Sequence, residues 1–145
     1  MKTHWKSNVL FYSTVVVYMV LTYWLLWPYE PIVIHSIDIM NKNNIAYAGE
    51  NLKYQTHYTK EMSYPVVKVT RQIIDGSVFV LEPGKGSRLP VGEHRVEVEV
   101  PIPENVCPNI YSFHLTAEYK VNPIRTVTVV ARSNTFIIKK RELGL

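Results

Sequence analysis

Cys107 and His114, a thiol and an imidazole seven positions apart, are the residues of this chain best suited to nucleophilic chemistry. A thiol becomes a nucleophile when a nearby base takes its proton, so such a pair is the minimum for covalent catalysis. Cys107 lies in a proline-rich passage, between Pro103 and Pro108, whereas His114 falls on the polar side of an alternating segment. Proximity is therefore not secured. No G-x-S-x-G, H-E-x-x-H or C-x-x-C pattern occurs. No catalytic residue is assigned, and the chain is expected not to be an enzyme.

Metal and phosphate chemistry are tested in the same way. Copper sites on β-sandwiches combine His, Cys and Met from one tight loop with an upstream His. The last methionine here is Met62, so Cys107 and His114 have no thioether to complete such a site. His35, His57, His94 and His114 read singly, as residues on strand faces. Glu93, Glu97 and Glu99 suggest calcium, but the Asp-rich loop that shapes a calcium site is missing, and alternate glutamates mark a solvated sheet face. Pro83-Gly84-Lys85-Gly86-Ser87 carries two glycines without P-loop spacing or a following helix, and reads as a loop. No cofactor and no metal are expected.

The segments that carry these residues alternate with period two, the signature of half-buried strands. Pro31 to Ile39 is β-prone and ends in the Asn-rich turn before Gly49. Between Glu50 and Lys60, Leu52, Tyr54, Thr56 and Tyr58 face one way; between Tyr64 and Ile74, Val67, Val69 and Ile73 do so. Asp75-Gly76 turns the chain into Ser77 to Glu82. Val96, Val98 and Val100 alternate with Arg95, Glu97 and Glu99. Tyr111, Phe113, Leu115, Ala117, Tyr119 and Val121 form the apolar face of the longest clean strand, and Asn122-Pro123 turns it into Arg125 to Ala131. Thr135 to Lys139 continues or completes the last strand after Arg132-Ser133-Asn134. About seven strands without a helical period imply two antiparallel sheets packed face to face.

From Ile32 to Ile138 the chain resembles an immunoglobulin-like or fibronectin-III-like sandwich. The likeness rests on strand count and on LPVGEHRVEVEVPIPENVCPNIYSFHLTAEYKV, in which a turn feeds a strand, a proline-rich crossover follows and a long Tyr-rich strand begins. The Cys-Trp-Cys core of antibody domains is absent, since Trp5, Trp24 and Trp27 all lie in or beside the N-terminal apolar run. That resemblance implies an all-β, antiparallel architecture of about seven strands behind one N-terminal helix.

The run itself is twenty-three uncharged residues, Ser7 to Tyr29, between Lys6 and Glu30. Its apolar heart, Val9 to Trp27, is nineteen residues, which at about 1.5 Å each comes close to the ~30 Å hydrocarbon core of a bilayer. Trp5 on one side and Trp24, Trp27 and Tyr29 on the other fit the two headgroup levels. The run is too long for a cleaved signal peptide and ends in Leu25-Leu26-Trp27-Pro28 without small residues at a cleavage site, so a retained anchor is expected. Lys2 and Lys6 precede it and no Lys or Arg follows before Lys42, which places the N-terminus in the cytoplasm and the rest outside. The expected organisation is a tail at 1–8, a transmembrane helix at 9–28 and one extracytoplasmic domain at 29–145.

Charge and cysteine use narrow the partners. The net charge is +4, and the excess of the outer domain resides in Lys139, Lys140 and Arg141, a basic tail expected to be solvated. Nothing resembles a nucleic-acid-binding stripe. Cys107 is the lone cysteine, either a small buried hydrophobe or a link between two copies of the chain, so a homo-oligomer is compatible with the sequence. There is no N-x-S/T sequon, which suits a bacterial or viral envelope. The whole layout is similar to that of small membrane proteins of tailed bacteriophages, and this resemblance implies the host inner membrane with a periplasmic domain.

The expected function is non-catalytic: a single-pass protein whose partners are the lipid bilayer and an envelope or viral protein. The alternative is an accessory subunit of a multi-span membrane enzyme, with Tyr12, Tyr18 and Tyr23 packing against other helices. A reporter that is active only outside the cytoplasm, fused after Leu145, is expected to be active. A silent but stably expressed fusion overturns the orientation.

Overall fold

The computed structural model describes residues 3–141. Lys2 and the ring of Trp5, used above for orientation and for the headgroup level, lie outside what is described. One helix, α1 (Thr3–Leu26), precedes eight strands. Its segment Lys6–Leu26 is long and apolar enough to cross a membrane, and the β domain buries none of that apolar surface. Ser13 and Thr14 donate to the Leu10 carbonyl at 2.8 and 2.9 Å, and Thr22 to that of Tyr18 at 2.8 Å. These three hydroxyls inside the span are thereby satisfied by their own helix.

The strands are β1 (Ile32–Ile39), β2 (Ile45–Tyr47), β3 (Asn51–Lys60), β4 (Val66–Ile74), β5 (Val78–Val80), β6 (Gly92–Pro101), β7 (Asn109–Asn122) and β8 (Arg125–Lys139). They form one sheet in the order β1-β3-β6 and a second in the order β2-β8-β7-β4-β5. Eight strands replace the seven expected, and the second sheet is mixed, because β2 runs parallel to β8. The reason is local. After β1 the chain does not reverse: Asn43 and Asn44, both at positive φ (57° and 55°), kink it from one sheet to the other with its direction kept. The stretch read as a turn therefore contains a short strand.

One further departure and one irregular step have physical causes. Val67, expected inside, is exposed because β4 shifts register against β7 between Val66 and Lys68, and the extra residue leaves the pleat. The Arg132-Ser133-Asn134 break does not interrupt β8. Beside a register shift, the amide of Phe113 donates to Ser133 Oγ at 3.0 Å, and Ser133 Oγ donates to the Asn134 carbonyl at 2.7 Å, so a side chain bridges the irregular step.

Between the sheets lies the core. Leu52 and Tyr54 of β3 and Val100 of β6 meet Ile73 of β4, Tyr111 and Phe113 of β7, and Phe136 and Ile138 of β8, all buried. Tyr54 and Phe113 stack across the sheets with ring centroids 4.4 Å apart. A second cluster nearer the helix joins Ile32, Tyr58, Val69, Ala117, Tyr119 and Val121, with Tyr29 and Tyr64 packed on it. Substitution Phe113→Ala removes a fully buried ring and is expected to cost about 3–5 kcal/mol. Urea unfolding of the chain in lipid nanodiscs, followed by tyrosine near-UV circular dichroism, measures this; a loss below about 1 kcal/mol contradicts the central role of the stack.

Candidate functional site

Two places in the fold concentrate polar groups in unusual settings: the junction of helix and domain, and a cavity between the sheets. At the junction, the last four carbonyls of α1 need donors from outside the helix. Trp27 N still bonds to the Tyr23 carbonyl at 3.0 Å, but residue 28 is proline and brings no N–H to the Trp24 carbonyl. Asn122 Nδ2 fills that place at 2.9 Å. One guanidinium nitrogen of Arg125 then donates to the carbonyls of Leu25 (2.8 Å) and Trp27 (2.7 Å). Arg125 also lies over the Tyr29 ring, 5.6 Å from its centroid, and Tyr29 packs edge-on against Tyr64.

Both donors come from the turn between β7 and β8. Asn122 uses its other side-chain atom locally, its Oδ1 accepting from Ile124 N at 3.0 Å, so one residue shapes the turn and holds the helix. A cation on the negative end of the helix dipole is favourable as well. By contrast, Lys139 stands at the opposite end of β8, paired with Tyr47, and Arg141 lies 3.8 Å from Glu50. The basic cluster read as a solvated tail thus begins inside a strand.

The cavity, about 370 Å³, lies between the sheets at the level of the cluster nearer the helix. Its walls are apolar, with Ile34 and Val96 facing Val69 and Leu115. Arg71 of β4 projects into this space. Its Nε is buried and has no hydrogen-bond partner, and none of the ion pairs among the described residues involves it. Its guanidinium carbon is 6.0 Å from the centroid of Tyr54. Burial pushes the Tyr54 hydroxyl pKa up, and the charge of Arg71, together with a hydrogen bond from it, opposes that shift.

One side of the cavity is closed by residues 82–91, the passage from β5 to β6. Gly84 N donates to the Val69 carbonyl at 3.1 Å, which lays the passage along the edge of β4. Lys60 Nζ donates to the carbonyls of Ser87 (3.2 Å) and Leu89 (2.9 Å), and the Tyr58 hydroxyl meets Ser87 Oγ at 2.7 Å. The two glycines serve this close approach: a Cβ on Gly84 would fall 2.6 Å from Val69 Cγ1, and one on Gly86 would overlap Val66. Arg71 and Lys60 were legible as anomalies of phase. Each continues the inward-facing set of its strand, Val69-Arg71-Ile73 and Tyr54-Thr56-Tyr58-Lys60, where a charge is out of place.

The other candidates disperse. Cys107 is exposed, which removes the buried-hydrophobe reading. His114 bonds to Ser112 Oγ at 3.0 Å, and burial, with Arg132 nearby, lowers its pKa. On the outer face of the first sheet, Glu93 pairs with His57, Glu97 with Gln55, and Glu99 with Lys53 and Asn51, a cross-strand ladder. His57 stacks on His35 with centroids 4.8 Å apart, and His94 bonds to the Pro90 carbonyl. Among the described residues no group of three or more His, Cys, Asp or Glu is arranged to hold a metal ion.

No family model matches the chain, and no curated protein matches it. Among solved structures it is similar to the Pseudomonas fluorescens alkylpurine DNA glycosylase AlkC bound to DNA containing an abasic site analog, with 13% identity and a TM-score of 0.46 over 77% of this chain. The chain spans 31% of the length of that protein. That neighbour is an enzyme, and the expectation that the chain is not one is withdrawn. At this score the likeness assigns no activity in its place.

The ladder makes a pH prediction. Hydrogen bonds from His57 to Glu93, from Lys53 to Glu99 and from the Ser77 amide to Asp75 hold these carboxyl groups below their ordinary range. A carboxylate with a lowered folded-state pKa stabilises the fold above its unfolded value and loses that contribution as pH falls through the folded one. The melting temperature is therefore expected to fall as pH drops below about 4. A triple variant, Asp75→Asn, Glu93→Gln and Glu99→Gln, is expected to flatten this acid limb. An unchanged limb contradicts the assignment.

Proposed function

We propose that the chain is a single-pass membrane protein, N-terminus cytoplasmic and β domain outside, whose immunoglobulin-like domain binds or positions an envelope or viral protein beside the bilayer. The junction carries this reading. A domain bonded to the last carbonyls of its own anchor is held at a set distance and angle from the membrane. Such confinement raises its effective concentration for a neighbour in the same membrane. The same bonds favour a retained anchor over a cleaved leader, because removing the helix would strand Arg125 and Asn122 without their acceptors. Placement in a bacterial inner membrane, with the domain in the periplasm, rests on the similarity of layout to phage membrane proteins.

Three features support the immunoglobulin-like assignment. Strands β1, β3 and β6 stand as A, B and E of such a domain and β4, β7 and β8 as C, F and G, with residues 81–91 in the place of strand D. Near the start of β7 the Tyr111 hydroxyl donates to the Cys107 carbonyl at 2.8 Å, the geometry of a tyrosine corner. Burial beside Asp75 pushes that hydroxyl up to about 12, which keeps it a donor. Two residues on, Phe113 stacks on Tyr54 where antibody domains join strands B and F through a disulfide.

A second reading, an accessory subunit of a multi-span complex, is favoured by one observation: Tyr12, Tyr18 and Tyr23 are all exposed on the helix. Purification in mild detergent separates the two. Stoichiometric recovery with a multi-span protein supports the subunit, and recovery with a protein captured by the β domain supports positioning. The double variant Asn122→Ala, Arg125→Ala is expected to lower partner capture severalfold while membrane insertion, read by resistance to alkaline extraction, is unchanged. Unaltered capture overturns the positioning mechanism.

A further inference from the structure

We propose that the cavity between the sheets binds an alkyl carboxylate of about a dozen carbons, its acid group paired with Arg71 and its tail lying along the apolar walls. Arg71 carries the argument. A guanidinium cannot shed its proton, so each of its N–H groups that is buried needs an acceptor or loses its solvation without return. Its Nε is buried without a partner, and no Asp or Glu lines the cavity. The anion therefore has to come from outside the chain. A planar fork of N–H groups suits a carboxylate in particular.

The rest of the site selects an amphiphile. Ile34, Val69, Val96, Val98 and Leu115 offer the tail only apolar contacts. The volume, about 370 Å³, is near the lower end of the ~300–1,000 Å³ range of ligand sites and holds roughly a dozen water-sized units of ~30 Å³. Lys85 and Arg88, on the passage closing one side, add positive charge at the mouth and disfavour a cationic ligand. That passage is pinned by Lys60 and Tyr58 and kept close by its glycines, so the walls are preformed. The lining also includes Ile32, six residues past the end of α1, so the opening lies near the bilayer from which a fatty acid would come. An acidic peptide is the poorer fit. Of the two edges of the first sheet, β1 and β6, the second carries a ladder of alternating charges that guards against an added strand.

The test uses the full chain in nanodiscs of zwitterionic phospholipid with a diazirine-bearing dodecanoic acid, photolysed and mapped by mass spectrometry. Adducts are expected on cavity residues such as Val98 and Leu115, about tenfold fewer with the matching alcohol, and similarly few in Arg71→Leu. Arg71→Lys is expected to restore part of the labelling. The alcohol comparison uses the unaltered chain, so it decides the matter even where Arg71→Leu fails to fold. Labelling confined to α1, equal labelling by acid and alcohol, or Arg71-dependent binding of a Glu-rich peptide without fatty-acid labelling overturns the proposal.

Discussion

A helix followed by proline ends with carbonyls that no amide of its own can reach, and here the β domain supplies the donors. Pro28 denies a partner to Trp24, and Asn122 takes its place; Arg125 serves Leu25 and Trp27. These bonds lie at the level where a spanning helix leaves the hydrocarbon, and an unmet carbonyl there costs more than it does in open water. The first strand begins at Ile32, so the connection is short and the turn between β7 and β8 sits beside the end of the helix. The direction of every other strand follows from that placement.

Stability away from the junction comes from aromatic packing. A domain with one exposed cysteine cannot staple its sheets, and Tyr54, Phe113, Tyr111 and Phe136 bring the two layers together instead. Stacked pairs of this kind contribute about 0.5–1.5 kcal/mol beyond the area they bury. The arrangement changes toward the helix, where the second cluster leaves a space that Arg71 enters from one sheet, while Lys60 of the other reaches the passage that closes it. Lys60 is satisfied by two carbonyls of the passage it pins. Arg71 Nε has no such acceptor, and that contrast separates the two inward cations.

Much of this was legible in the residues. Period-two alternation located β3, β6 and β7 closely, and the uncharged run gave α1, because both signals are written in consecutive positions. What the residues hid depends on pairing. The parallel β2 sits in an asparagine-rich stretch that reads as a turn, and the exposure of Val67 follows from a register shift against a strand some fifty positions away. The junction is harder still: Arg125 reaches Leu25 across one hundred positions, and no local pattern marks it as a helix cap. Arg71 is the instructive middle case. Its phase was visible in the alternation of β4, but only the walls around it show that an inward arginine meets no carboxylate.

The β7 and β8 strands, fourteen and fifteen residues long, run from the clamp at the helix to the far end of the domain. At about 3.3 Å per residue such a hairpin is roughly 45 Å long. Fixed at one end to α1, it works as a lever arm. A rotation of α1 by about 20° would carry the distal tip, with Lys139 and Arg141, through roughly 15 Å. A small change in the angle of α1 is thereby converted into a displacement of the surface farthest from it, a coupling that a flexibly tethered domain would lose.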